Sequence, residues 1–272
     1  MKGMETMKKV AAINDLSGFG RCSITVALPV LSAHGVQCCP VPTAILSNHT
    51  GFGTYFFDDY SDKMTPYIEN WKKLGLEFDC IYTGFLGSEK QIDIVENFIK
   101  QSEDSTILVD PVMGDGGKIY STYTPVMCEK MKRLVSLADV VTPNTTEAAI
   151  LAGVEYKEDF TDEEIWCIAG KIHELGAKNV VITGVRRNGR VANFVSGDKR
   201  FIAESEEIYV HYMGTGDLFA SMLCGYLMND LTLEEAVEKS AAFVYKTTKY
   251  SLEIGEKKEN GVAFEKFLKE IE

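Results

Sequence analysis

The sequence lacks the cysteine and histidine patterns that mark disulfide frameworks and structural zinc sites. Its seven cysteines include no C-x-x-C pair and are odd in number, so we expect most of them to be small core residues. The four histidines show no ligand spacing such as H-E-x-x-H. Neither a disulfide scaffold nor a zinc knuckle is indicated.

Long apolar runs and an excess of positive charge are also missing. No apolar stretch approaches the roughly 20 residues that a membrane span needs, and the first one is too short for a signal peptide. We therefore expect a cytoplasmic protein without a membrane partner. The formal net charge of −12 opposes nonspecific binding to nucleic acid, so no nucleic-acid partner is expected.

The composition that remains is that of an ordinary globular protein, with 45% hydrophobic and 25% charged residues. A chain of 272 residues has room for one large α/β domain or two modest ones. Because no linker, repeat or low-complexity segment interrupts it, we predict one domain over residues 1–272.

Apolar, β-branched runs alternate with amphipathic stretches along most of the chain. The predicted strands are KKVAAIN, VQCCPVPT, CIYTG, TILVD, DVVTP and NVVITG. The predicted helices cover 88–101, 125–137, 162–175, 217–228, 233–248 and 261–271. This alternation predicts an α/β fold in which a mostly parallel sheet carries helices on both faces. A hairpin is predicted at Gly197-Asp198, and the charged run GEKKENG is predicted to be a solvated loop.

Polar residues follow several of the predicted strands. They are Asn14, Asp15, Thr83, Gly84, Asp110, Thr142, Asn144, Thr183 and Gly184. Ligands of open parallel sheets bind beyond the carboxyl ends of the strands, so these residues predict one shared site. For any single one of them, capping of the following helix is an equally good interpretation.

Two familiar phosphate-binding motifs are absent. GDGGKIYS fails the Walker A pattern in its spacing and in the residue after Lys118. DLSGFGRCS has Ser23 in place of the third glycine of a dinucleotide fingerprint, and no acid ends the second strand. P-loop chemistry is therefore excluded, and a nicotinamide enzyme is not favoured.

The stretch HYMGTGDLFASMLCG, 211–225, places an acid at the start of a predicted helix. Backbone N–H groups of Gly214, Thr215 and Gly216 at a helix N-terminus favour an anion. A carboxylate there repels phosphate unless it accepts a proton during transfer, which makes Asp217 a candidate general base. Stabilisation of the helix dipole by Asp217 is the alternative.

GTGDLFASMLCG resembles the C-terminal signature of the ribokinase-like superfamily. AILSNHTGFG, 44–53, resembles the vitamin B6 kinases within it, and DPVMGD, 110–115, and VVTPNTTEAAIL, 140–151, add two blocks in the family's order. The resemblance extends from Ile13 to about Tyr226. It implies a three-layer α/β/α sandwich and transfer of the γ-phosphoryl of ATP to the 5′-hydroxymethyl group of pyridoxal, pyridoxamine or pyridoxine.

The same resemblance implies roles for individual residues around the phosphates. Asp217 matches the catalytic base, and the N–H groups of Gly214, Thr215 and Gly216 would hold the developing charge. Asn144 and Thr183, with Thr215 and Gly216, match positions that contact ATP. Residues implied for Mg²⁺ are Asp110 and Glu147, with Asp115 less directly, and Thr142 matches a position near a monovalent cation such as K⁺.

For the acceptor, His49 and Thr50 match residues that line the pyridine pocket. Phe85 would stack on the ring, although an ordinary core aromatic is the alternative, and a hydrogen-bonded core histidine is the alternative for His49. Tyr212 and Met213 are expected to wall the same cavity. The resemblance also implies a homodimer and a mobile flap over ATP in the glycine-rich segment 110–124, for which a solvated surface loop is the alternative.

One position departs from the vitamin B6 kinases. They usually carry Ser where this chain has Asp15, whereas the hydroxymethylpyrimidine kinases of thiamine synthesis carry an acid there. A carboxylate near a ring nitrogen favours its protonated form, which suits a pyridinium as well as an aminopyrimidine. SNHTG favours vitamin B6, while a thiamine-pathway kinase and a non-catalytic vitamer-binding protein remain alternatives.

Overall fold

The computed structural model describes residues 7–271. Its strands are β1 Lys9–Ser17, β2 Gln37–Leu46, β3 Phe57–Asp59, β4 Cys80–Thr83, β5 Thr106–Val109, β6 Gly114–Asp115, β7 Lys118–Ile119, β8 Val140–Val141, β9 Asn179–Arg187, β10 Arg190–Ser196 and β11 Arg200–Glu206. Its helices are α1 Ser23–Ala33, α2 Ser61–Lys73, α3 Glu89–Ile99, α4 Pro125–Val135, α5 Thr145–Ala152, α6 Asp162–Leu175, α7 Thr215–Met228 and α8 Leu233–Glu253.

Nine strands form one sheet in the order β11-β10-β9-β8-β5-β4-β1-β2-β3. The six adjacent strands β9, β8, β5, β4, β1 and β2 pair in parallel, and β3, β10 and β11 pair antiparallel at the two edges. β6 and β7 form a separate antiparallel hairpin. The prediction of a mostly parallel sheet is confirmed.

Alternation along the buried strands feeds two separate cores. In β1, Ala11 and Ile13 join the core that lies under α2 to α6, whereas Val10 and Ala12 join the core under α1, α7 and α8. Successive side chains of a strand point to opposite faces, so a continuous apolar run covers both sides of the sheet. The result is the three-layer arrangement of helices, sheet and helices that the resemblance implies.

Local signals placed several element ends correctly. α6 begins and ends where predicted because Thr161 and Glu164 form a capping box and Gly176 follows the last turn. The hairpin at Gly197-Asp198 is also confirmed, since β10 ends at Ser196 and β11 begins at Arg200.

Other expectations are corrected by the structure. The predicted C-terminal helix over 261–271 is wrong, because that segment holds only the short 3-10 turn Glu265–Glu270. A second hairpin, with Asn188 and Gly189 between β9 and β10, was missed. The glycine-rich segment 110–124, expected to carry a mobile flap, contains the short β6–β7 hairpin. No helix within 7–271 is long and apolar enough to cross a membrane.

Candidate active site

The polar strand ends meet at one edge of the sheet. β1, β4, β5, β8 and β9 are consecutive neighbours, so their carboxyl ends lie side by side. Backbone hydrogen bonds continue the alignment past the strands: the Asp110 amide donates to Thr83, and the Thr183 amide donates to Pro143. The sequence-based prediction of a shared location for these residues is therefore confirmed.

Gly214 is the N-cap residue of α7 and has the left-handed conformation, with φ 74° and ψ 8°. A Cβ atom at this position would lie 2.0 Å from the Arg21 carbonyl oxygen, so only glycine fits both the angle and the space. The turn leaves the first N–H groups of α7 without side-chain caps. Those N–H groups, with the helix dipole, form the anion cradle expected of Gly214, Thr215 and Gly216.

Asp217 lies in the first turn of α7 and is half-buried. Asn14 Nδ2 donates to Asp217 Oδ1 at 3.4 Å, and the Ser23 amide, at the start of α1, also donates to this carboxylate. Burial, with a contribution from the charge of Asp15, raises the pKa of Asp217 to about 6 in spite of these donors. A carboxylate with this pKa can both accept and release a proton near neutral pH.

Two further acids lie close to each other, Asp110 just after β5 and Glu147 in α5, and Asp110 also interacts with Asp217. Burial and the charge of Asp217 raise the pKa of Asp110 to about 8, and the Thr142 hydroxyl donates to Asp110 Oδ1 at 3.3 Å. Burial and the charge of Asp110 also raise the pKa of Glu147. Within the described residues, no lysine or arginine forms an ion pair with Asp110, Glu147 or Asp217. Uncompensated buried carboxylates of this kind favour binding of a cation.

The Glu147 carboxylate is already engaged in hydrogen bonds within the fold. Its two carboxylate oxygens accept from the Asn144 amide at 2.9 Å and from the Met113 amide at 3.1 Å. No three Asp, Glu, His or Cys side chains within 7–271 come close enough together to hold a metal ion. The donor set therefore fits Mg²⁺ that keeps water and phosphate oxygens as most of its ligands, with Asp110 as the free carboxylate.

Asn144, just past the end of β8, forms a parallel backbone bridge with Thr183 in the middle of β9. The side chain of Asn144 caps α5 by accepting from the Thr146 and Glu147 amides, and its Nδ2 donates to the Gly114 carbonyl at 2.9 Å. A phosphate contact from Asn144 Nδ2 would have to replace or share the bond to Gly114.

The β6–β7 hairpin is tied down at three points. Besides the bond from Asn144 to Gly114, the Gly117 amide donates to Thr146 Oγ1 at 2.9 Å, and Asp115 pairs with His211 at 3.3 Å. The side-chain hydrogen bond from His211 lowers the pKa of Asp115. Asp115, predicted to act near the metal, is therefore engaged with His211 in this structure.

The expected acceptor pocket is only partly built from the predicted residues. Phe85 is half-buried beside Asn14, Thr50 is exposed, and Met213 is 38% exposed. Both ring nitrogens of His49 are used, because Nδ1 accepts from the Gly51 amide at 3.1 Å and Nε2 contacts the Glu259 carbonyl at 2.7 Å. The hydrogen-bonded interpretation of His49 is the one that the structure favours.

Tyr212 is not a wall of the cavity. Its ring is 1% exposed within the core under α1, α7 and α8, and its hydroxyl donates to the Glu256 carbonyl at 3.2 Å. The sequence places Tyr212 beside the cradle, but the chain turns at Gly214, so the residues before the turn can point into the core.

Asp15 is 6% exposed and accepts from the hydroxyls of Ser17 at 2.8 Å and Ser23 at 2.5 Å. Burial raises the pKa of Asp15. Ser23 links the two acids, since its hydroxyl bonds Asp15 and its amide bonds Asp217. In the sequence, Ser23 stands out only because it replaces the third glycine of a dinucleotide fingerprint.

The charged run GEKKENG, predicted to be a solvated loop, lies against the site. Although Lys257 and Lys258 are exposed, the backbone of the run accepts bonds from Arg21, His49 and Met213. Arg21 also pairs with Glu256 at 3.1 Å and with Glu265 at 2.5 Å. We call residues 256–261 the C-terminal brace, because they join three segments around the pocket.

The fold, the cradle and the acid group define a phosphotransferase of the ribokinase-like superfamily that acts on an alcohol group. The chain belongs to the phosphomethylpyrimidine kinase family, whose model matches residues 24–262.

Two solved structures and one curated relative show which kinases this chain is similar to. A Bacteroides thetaiotaomicron protein, assigned by inference as a phosphomethylpyrimidine kinase and crystallised with pyridoxal, is 38% identical, with a TM-score of 0.94 over 98% of this chain and 96% of that one. Pyridoxal kinase from Lactobacillus plantarum is 28% identical, with a TM-score of 0.92 over 98% and 97% of the two chains. Pyridoxine kinase of Bacillus subtilis is 30% identical over 67% of this chain and 68% of its own length.

Proposed function

We propose that this protein transfers the γ-phosphoryl group of ATP to the 5′-hydroxymethyl group of pyridoxal, pyridoxamine or pyridoxine. The observation that carries the proposal is the Asp217 carboxylate, with a pKa of about 6, at the edge of an uncapped helix N-terminus. The 38% identical relative crystallised with pyridoxal and the two B6 kinases support the choice of acceptor.

In the proposed reaction, Asp217 accepts the proton of the vitamer hydroxyl as its oxygen attacks the γ-phosphorus in line. The N–H groups from Gly214 to Asp217 stabilise the negative charge that spreads over the transferred group. The fixed dipoles of α7 need no reorganisation as this charge develops, so positioning and electrostatics supply most of the rate enhancement.

The finer assignments around the nucleotide belong to the same proposal. Asp110 and, through water, Glu147 and Asp115 would hold Mg²⁺, which neutralises phosphate charge and orients the γ-phosphoryl group. Thr142 would lie near a monovalent cation such as K⁺. Asn144 and Thr183 would contact phosphate oxygens. Support comes from the buried carboxylates of this site, which lack a basic partner among residues 7–271.

For the acceptor, Phe85 would stack on the pyridine ring and Asp15 would face a ring nitrogen. Thr50 and Met213 would line the pocket, and His49 would hold the loop that carries Thr50. The fixed backbone of Phe85, bonded to both Asn14 and Thr43, supports a preset position for its ring.

The proposal is tested by incubating the protein with Mg·ATP and each B6 vitamer and measuring ADP and the phosphorylated vitamer. We expect both products in equal amounts with at least one vitamer. ADP without a phosphorylated vitamer, or neither product with any of them, would contradict the proposal.

A second candidate is phosphorylation of hydroxymethylpyrimidine, favoured by the description of the matching family and by Asp15 at the acid position of those kinases. Adding hydroxymethylpyrimidine to the same panel separates the two, because the kcat/KM ratio ranks the acceptors directly. Vitamer binding without ADP formation would identify the third alternative, a non-catalytic binding protein.

The proposed working unit is a homodimer of one kinase domain per chain. Exposed aromatic side chains near the β3 edge support an interface between copies, with Phe56 66% and Phe19 56% exposed. Light scattering of the purified protein tests it, and a mass of one chain at micromolar concentration would contradict it. The cytoplasmic location stays a prediction from the sequence.

A further inference from the structure

Asn14 is a buried amide at the end of β1, 1% exposed, between the proposed base and the proposed acceptor pocket. The pairing of β1 with β2 shifts register immediately after it, between Asn14 and Leu16. Such an irregularity re-aims a side chain at the edge of a sheet. Here it brings the Asn14 side chain under α7.

Hydrogen bonds fix which way the amide points. Asn14 Oδ1 accepts from the Phe85 amide at 2.8 Å and from the Asp15 amide at 3.0 Å. Two donors on one atom identify that atom as the oxygen, so Nδ2 must face the other way. Nδ2 donates to Asp217 Oδ1 at 3.4 Å.

The neighbouring strand is shaped to receive this amide. A Cβ atom at Gly84 would lie 2.2 Å from Asn14 Nδ2 and 2.6 Å from Asn14 Cγ. Glycine at position 84 therefore lets the Asn14 side chain pass between β4 and α7. One side chain thus connects the backbone of Phe85, the backbone of Asp15 and the carboxylate of Asp217.

Among residues 7–271, five titratable groups surround the Asp217 carboxylate. Those that face it are Asp15 of β1, Cys22 before α1, Tyr82 of β4, Asp110 after β5 and Tyr120 of the hairpin loop. Asp15 and Asp110 repel a second negative charge when they are ionised. Against them, the Asn14 amide and the Ser23 backbone amide donate to the carboxylate.

We infer that Asn14 is a positioning residue that aims the Asp217 carboxylate at the acceptor hydroxyl and sets it in register with the ring of Phe85. It acts through the residues it bonds and does not itself touch the reacting atoms. This inference rests on the proposed function, because it assigns to Asn14 the alignment of the base with the pyridine platform.

The test compares Asn14→Asp and Asn14→Ala with Thr43→Val. Aspartate keeps an acceptor for the two backbone amides but replaces the donor that faces Asp217, whereas alanine removes both. Thr43 Oγ1 donates to the Phe85 carbonyl at 2.9 Å, so Thr43→Val loosens Phe85 from the other side without touching Asp217. Thermal unfolding of each variant reports whether the fold is retained.

We expect both Asn14 variants to move the acid limb of the kcat profile up by about one pH unit, since a donor to the carboxylate is lost. Their turnover at pH 6 should fall about fivefold more than at pH 9, with the KM for ATP little changed. Thr43→Val should leave the acid limb where it is. An infrared titration of the Asp217 carboxyl band should show the same upward shift in pKa for both Asn14 variants. The band is identified by its loss in Asp217→Asn.

A uniform loss of turnover at every pH, or an unmoved carboxyl band in a folded Asn14→Asp variant, would overturn the inference. Failure of the proposed function looks different, because wild-type protein would then form no product with any acceptor. The infrared titration still decides the role of Asn14 in that case.

Discussion

Two glycines stand where the backbone of one segment meets a polar group of another. Gly84 faces the Asn14 amide, and Gly214 faces the Arg21 carbonyl. Their side-chain hydrogens leave room for contacts that any larger residue would close. At the scale of single residues, the position of the proposed base therefore depends on the absence of a Cβ atom at positions 84 and 214 as much as on Asp217.

Gly214→Ala should destabilise the fold and displace the first turn of α7. The left-handed backbone and the 2.0 Å approach to the Arg21 carbonyl together predict a loss of at least about 2 kcal/mol in the free energy of unfolding. Urea unfolding measures it.

Gly216→Ala is the matched control, because a Cβ atom there meets no other segment of the described chain within 4 Å. Its free energy of unfolding should stay within about 0.5 kcal/mol of wild type. Equal losses in the two variants would show that the geometry at 214 is not the cause.

At the scale of elements, the C-terminal brace joins parts of the chain that are far apart in sequence. It receives the Arg21 amide, the Met213 amide and the His49 ring, and it bonds the Tyr212 hydroxyl. Two of these partners, His49 and Met213, belong to the proposed acceptor pocket. We therefore expect the brace to affect acceptor binding more than ATP binding.

Arg21→Met should raise the KM for the acceptor severalfold and leave the KM for ATP nearly unchanged. It keeps the aliphatic stem but removes the pairs with Glu256 and Glu265. Because the Arg21 side chain is 28% exposed, the lost stability should be only about 1 kcal/mol. Steady-state kinetics with each substrate varied in turn measures the effect.

Glu265→Gln serves as a control for charge alone, since Glu265 is 54% exposed at the outer end of the pair. Its acceptor KM should stay close to wild type. A rise in the ATP KM as large as that for the acceptor in Arg21→Met would contradict the role given to the brace.

The packing of α1 on α7 contains a buried histidine. His34 is 7% exposed, and its ring meets the Tyr226 ring edge-on with 4.5 Å between the centroids; among residues 7–271, neither ring nitrogen has a hydrogen-bond partner. Burial, with a smaller contribution from Lys239, lowers the pKa of His34 to about 4. The folded state therefore binds this proton less readily than the unfolded chain.

The contribution of His34 to stability is complete above about pH 6.5 and is lost as the pH falls toward 4. His34→Leu should remove this dependence, so its stability relative to wild type should improve by on the order of 2 kcal/mol between pH 7 and pH 4. Urea unfolding at both pH values measures the difference. Parallel loss of stability in the two proteins would contradict a neutral buried His34.

At the scale of the whole molecule, a chain with a net charge of −12 gathers further acids at the site of an anionic substrate. The cradle of α7 offsets only part of that charge. Under the proposed function, a divalent cation would bring Asp110 and the phosphates together. Metal and nucleotide should accordingly bind as a pair.

Thermal unfolding with ADP and Mg²⁺ together should give a larger rise in Tm than the sum of the two added separately, because each ligand creates part of the site of the other. Mg²⁺ alone should raise the Tm little, since no three-ligand group exists among the described residues. ADP in excess EDTA that stabilises as strongly as Mg·ADP would contradict this coupling.

The sequence was most informative where local chemistry and global structure agree. The apolar runs of the central strands and the polar residues at their ends predicted the layers and the location of the site. It was least informative where long-range contacts decide the outcome. We predicted a solvated loop for the brace because its side chains are charged. The structure shows that its backbone carbonyls accept hydrogen bonds from other segments.

Side-chain direction was the other limit. His49 and Tyr212 lie in stretches that resemble pocket-lining segments. Their side chains instead form hydrogen bonds with the backbone carbonyls of Glu259 and Glu256. Asn14 was visible only as one of several polar strand ends. Its connection to Asp217 depends on a contact between residues 203 positions apart, which no local pattern encodes.

The most direct test of the central claim is the turnover of Asp217→Asn with Mg·ATP and the best acceptor, measured beside calorimetric binding of ATP. If Asp217 removes the hydroxyl proton, turnover should drop roughly 10²–10⁴-fold, or about 3–5 kcal/mol of barrier, with ATP affinity nearly intact. Asp62→Asn, on the exposed face of α2, should match wild type in both measurements. Unchanged turnover in Asp217→Asn would contradict its role as the base.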